Sequence, residues 1–175
     1  MNELRIVFGL AVIAAMAAVV GYLGPAYGQS THEAVPIFVK EIPPGYRDWK
    51  VVSVAHEEGN FNSLGAILGN ELAIKAYREG GSRFPDGAIV AALHYSHTSS
   101  EENNKVFGRS QSFVPGVPTN IQFMVKDSKK YAATGGWGFG HFANGKSADD
   151  ASLKTCFPCH NQVKARDLVF TRYAP

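Results

Sequence analysis

Two cysteines and a histidine lie within the five-residue stretch CFPCH, residues 156–160, close to the end of the chain. They are the only cysteines in the sequence. Two thiols at this spacing can each add across one vinyl group of a haem, and the histidine after the second thiol is then placed to ligate the iron. The motif therefore predicts one covalently attached haem c, held by Cys156 and Cys159, with His160 as the iron ligand.

Three other uses of the cysteine pair compete with haem attachment. A structural zinc site needs two further ligands, usually a second cysteine pair, which the chain lacks. A redox dithiol is expected near the start of a βαβ unit, whereas this motif lies close to the C-terminus. A plain disulfide explains the two cysteines but gives no role to His160. Haem attachment is thus favoured, and the other three uses stay as alternatives.

A single motif leaves the sixth coordination position of the iron to be assigned. An electron-carrier haem needs a second strong ligand, usually Met or His, whereas an open position binds external ligands. Each candidate taken alone is more typical of a core or surface residue than of an iron ligand. The sequence leaves the choice open among Met124, His32, His56, His94, His97 and His141.

The N-terminal part of the chain predicts export. A short polar start precedes an almost unbroken apolar run from Ile6 to Leu23, and small residues at Ala26 and Gly28 fit the cleavage rule of signal peptidase. We interpret residues 1–28 as a cleaved signal peptide. An uncleaved anchor is the alternative, because the apolar run is close to the minimum that spans a bilayer. Both place the remainder beyond the membrane, and we expect a periplasmic location, where c-type haem is assembled.

The remainder is predicted to be an extended leader, residues 29–44, followed by one domain, residues 45–175. The chain of 175 residues is 45% hydrophobic, which is ordinary for a globular protein with one core. Its 17 basic and 15 acidic residues are spread without a basic block. Nucleic acid is therefore not an expected partner.

Local patterns predict an α+β fold, a mainly antiparallel sheet with two or three helices. Residues 70–79 are typical of a helix capped by Asn70, and residues 147–150 of a helix start that leads into the cysteine motif. The glycines of residues 136–142 indicate that a large group approaches the backbone closely. Strands are predicted over residues 49–54, 88–95, 120–125, 136–142 and 168–173.

Five stretches together resemble the cytochrome P-460 family, which includes cytochrome c′-beta. They are IPPGYRDWKVVSVAH, LGNELAIKAYREG, FPDGAIVAAL, GGWGFGHF and the late CFPCH. The likeness covers nearly all of residues 42–175. It implies a mainly antiparallel β fold, often dimeric, with one five-coordinate haem whose proximal ligand is His160.

The resemblance implies two activities. Cytochromes P-460 oxidise hydroxylamine and carry a lysine joined to a meso carbon of the haem, whereas cytochromes c′-beta lack that bond and bind nitric oxide beneath distal aromatic residues. The cross-linking lysine is expected in the strand after the Pro-Asp-Gly turn, but residues 88–98 contain no lysine. This departure argues against a cross-linked haem, so whether the protein is an enzyme stays open.

Five residues are candidates for the haem pocket besides the motif. Strand alternation places Ala92 and His94 on one face of the strand. If that face points towards the haem, His94 enters the distal pocket. Phe61 is the candidate aromatic cap and Trp137 a second cofactor contact. Together with His94, the carboxylates of Glu101 and Glu102 are candidate proton acceptors for hydroxylamine oxidation.

The sequence thus predicts an exported mono-haem cytochrome with an open iron position. Its expected ligands are nitric oxide or hydroxylamine, and a redox partner such as another cytochrome is expected in the enzymatic case. A homodimer is expected from the resemblance alone. The alternative is a six-coordinate electron-transfer cytochrome c, which requires one of the candidate sixth ligands.

Overall fold

A six-stranded antiparallel sheet forms the centre of the protein. The computed structural model describes residues 38–80 and 82–174. Each strand pairs with the next one along the chain, so the sheet is a simple meander. The strands are β1 (Lys50–Glu57), β2 (Ser63–Gly69), β3 (Ile89–Ser99), β4 (Phe113–Lys126), β5 (Trp137–Ala143) and β6 (Lys146–Ser147).

Three helical segments accompany the sheet. Helix α1 is Glu71–Arg78 and α2 is Glu101–Phe107. Helices α3 (Asp150–Lys154) and α4 (Cys156–His160) are separated only by Thr155, whose own backbone is α-helical, so they form one continuous segment. Short 3₁₀ turns span Tyr46–Asp48, Ala132–Thr134 and Asn161–Arg166.

The two faces of the sheet bury separate apolar clusters. One face, called the helix face below, presents Val90, Met124 and Phe139 to α1, to part of α4 and to the segment after it. The other, called the loop face, presents Ala91 and Phe123 to the segment before β1 and to the loop before β5. Alternate residues of one strand point to opposite faces. The helix face is therefore the one that carries the cysteine motif.

Two glycines of β5 are explained by a protein side chain and a backbone group. A β-carbon on Gly138 would stand 2.3 Å from the ring of Tyr131, and one on Gly140 would stand 2.9 Å from the carbonyl oxygen of Val39. Both approaches are on the loop face, away from the motif. The large group expected near this backbone is thus the Tyr131 ring.

The α+β prediction is confirmed, with corrections to individual elements. The Asn70 side chain caps α1 by accepting a hydrogen bond from the Ala73 amide at 3.0 Å, as predicted. Strand β2 and helix α2 were not predicted. The predicted strand over residues 168–173 is wrong: the backbone turns at Asp167 and Leu168, both with positive φ, and then runs without strand pairing.

The predicted signal peptide, residues 1–28, and most of the predicted leader lie outside the described residues. Within residues 38–80 and 82–174, no helix is long and apolar enough to cross a membrane.

Candidate haem site

Helix α4 brings the three residues of the motif together on one turn. Asp149 caps the preceding α3 by accepting a hydrogen bond from the Ser152 amide at 2.7 Å. Pro158 lies in the first turn of α4, where a missing amide proton costs little. Cys156 and Cys159 are three residues apart on this turn, and neighbours at that spacing share a helix side. Both thiols are free, Cys156 half-buried and Cys159 exposed.

The imidazole of His160 is fixed on three sides. Its Nδ1 lies 2.7 Å from the carbonyl oxygen of Leu168. A carbonyl only accepts hydrogen bonds, so Nδ1 carries the proton and Nε2 keeps its lone pair. The rings of Phe139 and Phe170 each lie 5.0 Å from the His160 ring, centroid to centroid. A histidine oriented through one nitrogen and free to ligate through the other is the usual arrangement of a metal-binding imidazole.

Burial also keeps His160 neutral. It lowers the pKa of His160, and the hydrogen bond to Leu168 offsets part of that change. Burial raises the pKa of the Cys156 thiol, with a smaller contribution from Cys159. The neutral imidazole is the form that ligates a metal.

A cavity of about 80 Å³ lies between His160 and the helix face of the sheet. Strand β3 contributes Val90 and Ala92 to its wall, and none of the described residues that line it is a lysine. The wall is mostly apolar. Its members are Ile67, Val90, Ala92, Gln122, Phe123, Met124, Phe139, Gly140, Cys156, His160, Val169, Phe170 and Thr171.

Beside the cavity, the small residues Ala55 and Gly65 lie next to His94 on the helix face. Ala55, Gly65 and His94 are paired across β1, β2 and β3. On the same face, the next pair along β2 and β3 is Ile67 with Ala92, two residues away on each strand. A β-carbon on Gly65 would meet no described atom closer than 3.8 Å, so neighbouring protein atoms do not require glycine there. Glycine in a strand also marks a place where a ligand approaches the backbone. Gly65 is therefore a candidate for close contact with a macrocycle held at His160.

His94 lies on the helix face, as strand alternation required. Its Nδ1 lies 3.8 Å from the point that a β-carbon on Gly65 would occupy. Burial lowers the pKa of His94, while Glu57 raises it and His141 lowers it by smaller amounts. Burial thus favours the neutral form of His94 beside Gly65, and its role towards an iron ligand stays a prediction.

Like His94, the remaining candidates do not line the cavity. Phe61 lies in the connection between β1 and β2 and is 77% exposed. Trp137 is fully buried beneath Phe84, with ring centroids 5.5 Å apart. Glu101 and Glu102 lie in the exposed first turn of α2. A cap role for Phe61, a cofactor contact for Trp137 and proton transfer by the two glutamates stay predictions.

The candidate sixth ligands separate by position. Met124 lines the cavity together with His160, and His141 pairs with Gln122 across β4 and β5 on the same face. His56 and His97 instead stack on each other with centroids 4.1 Å apart. His32 lies outside the described residues.

Sequence reasoning missed three features of this site. Gly65 belongs to β2, whose run SLGAILG lacks a clear alternation. Glu57 raises the pKa of His94 through its negative charge. The pairing of β1 with β2 brings it close to His94. The Leu168 carbonyl could not be found, because a backbone acceptor has no sequence signal.

A pair of thiols followed by an imidazole suits covalent attachment of haem, whereas a structural zinc site needs four ligands. Among residues 38–80 and 82–174, no group of three or more His, Cys, Asp or Glu side chains is placed to hold a metal ion. Comparison with curated proteins gives no match. The family model of cytochrome P-460 matches residues 43–171, well over half of the chain. The chain therefore belongs to the cytochrome P-460 family, a family of haem cytochromes.

Proposed function

We propose that this protein is an exported c-type cytochrome with one haem and an open iron position that binds nitric oxide. Cys156 and Cys159 would form the two thioether bonds, and Nε2 of His160 would ligate the iron. One observation carries this proposal: an oriented neutral imidazole borders a mostly apolar cavity that contains no lysine. When bound, haem would supply an iron centre with one coordination position for a small ligand.

The residues of the wall favour a neutral ligand. Val90 and Ala92, which reach the cavity from the sheet rather than from the side of His160, present hydrocarbon to it. A charged ligand entering there would lose hydration without a compensating partner, whereas a neutral diatomic loses little. The site is therefore better suited to nitric oxide than to an anion.

His94 supports a second candidate, hydroxylamine oxidation. Because its pKa is lowered, the imidazole is neutral near pH 7 and able to accept a proton. Glu57 lies close enough to influence it. The wall, however, offers no lysine amine for the cross-link that the resemblance associates with this activity. We therefore place nitric oxide binding first.

The electron-transfer alternative depends on Met124. This residue is 8% exposed and lines the cavity with His160. A thioether is a common sixth ligand of electron-carrier haems. Such a protein would be low-spin and would bind nitric oxide only by displacing Met124.

Absorption and electron paramagnetic resonance spectra of the purified protein test these functions. The proposal expects a high-spin ferrous protein with an ordinary Soret position that takes up one nitric oxide per haem. A low-spin spectrum lost in Met124→Ala would instead establish the electron carrier. A red-shifted Soret band with turnover of hydroxylamine would establish the enzyme. Pyridine haemochrome analysis counts the haems and reports thioether attachment.

Location and partners are also proposals. Export to the periplasm rests on the predicted signal peptide and is tested by fractionating cells that express the full chain. The enzymatic candidate would need an external electron acceptor such as another cytochrome. Homodimer formation rests on the resemblance, and light scattering of the purified holoprotein measures it.

A further inference from the structure

The carbonyl that orients His160 belongs to an unusual piece of backbone. Asp167 and Leu168 are consecutive non-glycine residues with φ of 50° and 67°. Left-handed backbone is unfavourable for residues with a side chain and persists where surrounding contacts hold it. Aspartate tolerates it better than leucine does. Other contacts must therefore fix the Leu168 carbonyl in its orientation.

A buried ion pair supplies the first of these contacts. Lys126 Nζ lies 2.7 Å from Asp167 Oδ1, with the side chains only 10% and 15% exposed. The other carboxylate oxygen of Asp167 accepts a hydrogen bond from the Phe84 amide at 2.8 Å. Asp167 is thus tied both to the end of β4 and to the loop before β3.

The same lysine also holds the surface against which Leu168 packs. Lys126 Nζ donates a second hydrogen bond to the Gly135 carbonyl at 3.3 Å. The Leu168 side chain is buried, and its Cδ1 lies 2.6 Å from where a β-carbon on Gly135 would stand. Only glycine leaves room for it. Lys126 therefore holds two contacts of Leu168: the preceding residue Asp167, and the Gly135 turn against which the Leu168 side chain packs.

We infer that the Lys126–Asp167 ion pair positions the proximal histidine by holding the Leu168 carbonyl against Nδ1 of His160. The inference rests on the proposed haem ligation by His160. The hydrogen bond from Nδ1 raises the electron donation of an imidazole to its metal, and this contact tunes the iron–histidine bond and the reduction potential. Lys126 and Asp167 are positioning residues that act through a backbone group.

Two substitutions in the holoprotein test the inference. Asp167→Asn keeps the tolerance for left-handed backbone and one acceptor oxygen but removes the charge that holds Lys126. Lys126→Met removes the ammonium and keeps the aliphatic stem. Both are expected to lower the iron–histidine stretching frequency of the ferrous protein, measured by resonance Raman, and to make the midpoint potential more positive. Lys126→Arg keeps the charge and is expected to restore both values most of the way.

Matched controls separate positioning from general loss of stability. Asp86→Asn removes a carboxylate that likewise accepts a backbone amide hydrogen bond, from Ser128 at 2.8 Å. Lys75→Met removes a lysine from an exposed pair with Glu79. Neither is expected to move the frequency or the potential. If Asp167→Asn and Lys126→Met also leave both values within the spread of these controls, the inference is wrong.

Folding failure is decisive as well. If Asp167→Asn and the charge-free double variant Lys126→Met/Asp167→Asn both fail to fold while the controls fold, the pair serves global stability and the positioning role is overturned. A failure of the proposed function looks different. There, wild-type protein shows no iron–histidine band because the iron is six-coordinate, and the midpoint potential alone then decides the effect of Lys126 and Asp167.

Discussion

Nδ1 of His94 lies 3.8 Å from the point where a β-carbon would stand on Gly65, and no described atom comes closer to that point. A side chain at this position would therefore make only ordinary van der Waals contact with the His94 imidazole and the Ala55 carbonyl. Gly138 differs, because the Tyr131 ring occupies the corresponding space at 2.3 Å. Packing within the protein therefore requires glycine at Gly138 but not at Gly65, which the proposal assigns to contact with the haem.

Substitution of these two glycines is expected to give opposite results. Gly65→Val adds a β-branched side chain to a strand, so the free energy of unfolding should change by less than about 1 kcal/mol, while the haem content per chain falls. Gly138→Ala forces the Tyr131 ring to move and should destabilise the fold by roughly 1–3 kcal/mol. Urea unfolding and pyridine haemochrome analysis measure the two effects. Full haem content in a folded Gly65→Val protein would show that Gly65 does not contact the haem.

The cysteine motif predicts a separable loss of attachment and ligation. Cys156→Ala combined with Cys159→Ala should give protein from which acid-acetone extracts all haem, because no thioether bond remains. His160→Ala should keep the thioethers but change the ferrous spectrum and abolish the iron–histidine band. An extraction-resistant haem in the double variant would contradict attachment at this motif. An unchanged spectrum in His160→Ala would show that another residue is the proximal ligand.

Much of the fold can be predicted from local sequence patterns, but elements that depend on contacts between distant residues cannot. The two-residue period of β3 places Ala92 and His94 together, and the Asn70 cap marks the start of α1. Strand β2 was missed because its glycines and continuous apolar residues hide the period. The predicted last strand is wrong because Asp167 turns the backbone through an ion pair with Lys126, forty-one positions away along the chain. No local pattern reports such a contact.

The haem site likewise has a part that the sequence predicts and a part that it does not. The spacing of Cys156, Cys159 and His160 is a property of one turn of chain, so the motif is readable directly. The wall of the cavity comes from four strands, α4 and the segment after it, and strand pairing sets which residues the four strands contribute. The contact between His160 and the Leu168 carbonyl involves a backbone atom, which any residue type supplies.

His94 is expected to affect ligand release if it borders the bound ligand. His94→Phe fills similar space without a hydrogen-bond donor. A hydrogen bond is worth about 1 kcal/mol, so its loss should raise the nitric oxide off-rate about fivefold. Stopped-flow trapping measures this rate. His97→Phe is the control, because the His97 ring stacks between those of His56 and Phe113, with centroids 4.1 Å and 4.2 Å away, rather than lying beside Gly65. Equal off-rates in both variants would place His94 outside the ligand pocket.

The lowered pKa of His94 also makes a prediction about stability against pH. Burial disfavours the charged imidazole in the folded protein, and the repulsion from His141 adds to this while Glu57 opposes it. In the unfolded chain His94 has its ordinary pKa of about 6.5. It therefore binds a proton there at pH values at which the folded protein does not. Stability rises with pH wherever the unfolded state binds more protons. The contribution of His94 to the free energy of unfolding is therefore complete above the pKa of the unfolded chain, and it is lost as the pH falls through the lower pKa of the folded protein.

Urea unfolding of wild type and His94→Gln at pH 7.5 and at pH 5 measures this contribution. The wild type should lose more unfolding free energy than the variant over the interval, because a glutamine side chain does not titrate. Asp86→Asn serves as the control: hydrogen bonds from Ser128 lower the pKa of Asp86, so its contribution is lost only at more acidic pH. Equal losses in wild type and His94→Gln would show that His94 keeps its ordinary pKa and lies in contact with water rather than against the sheet at Gly65.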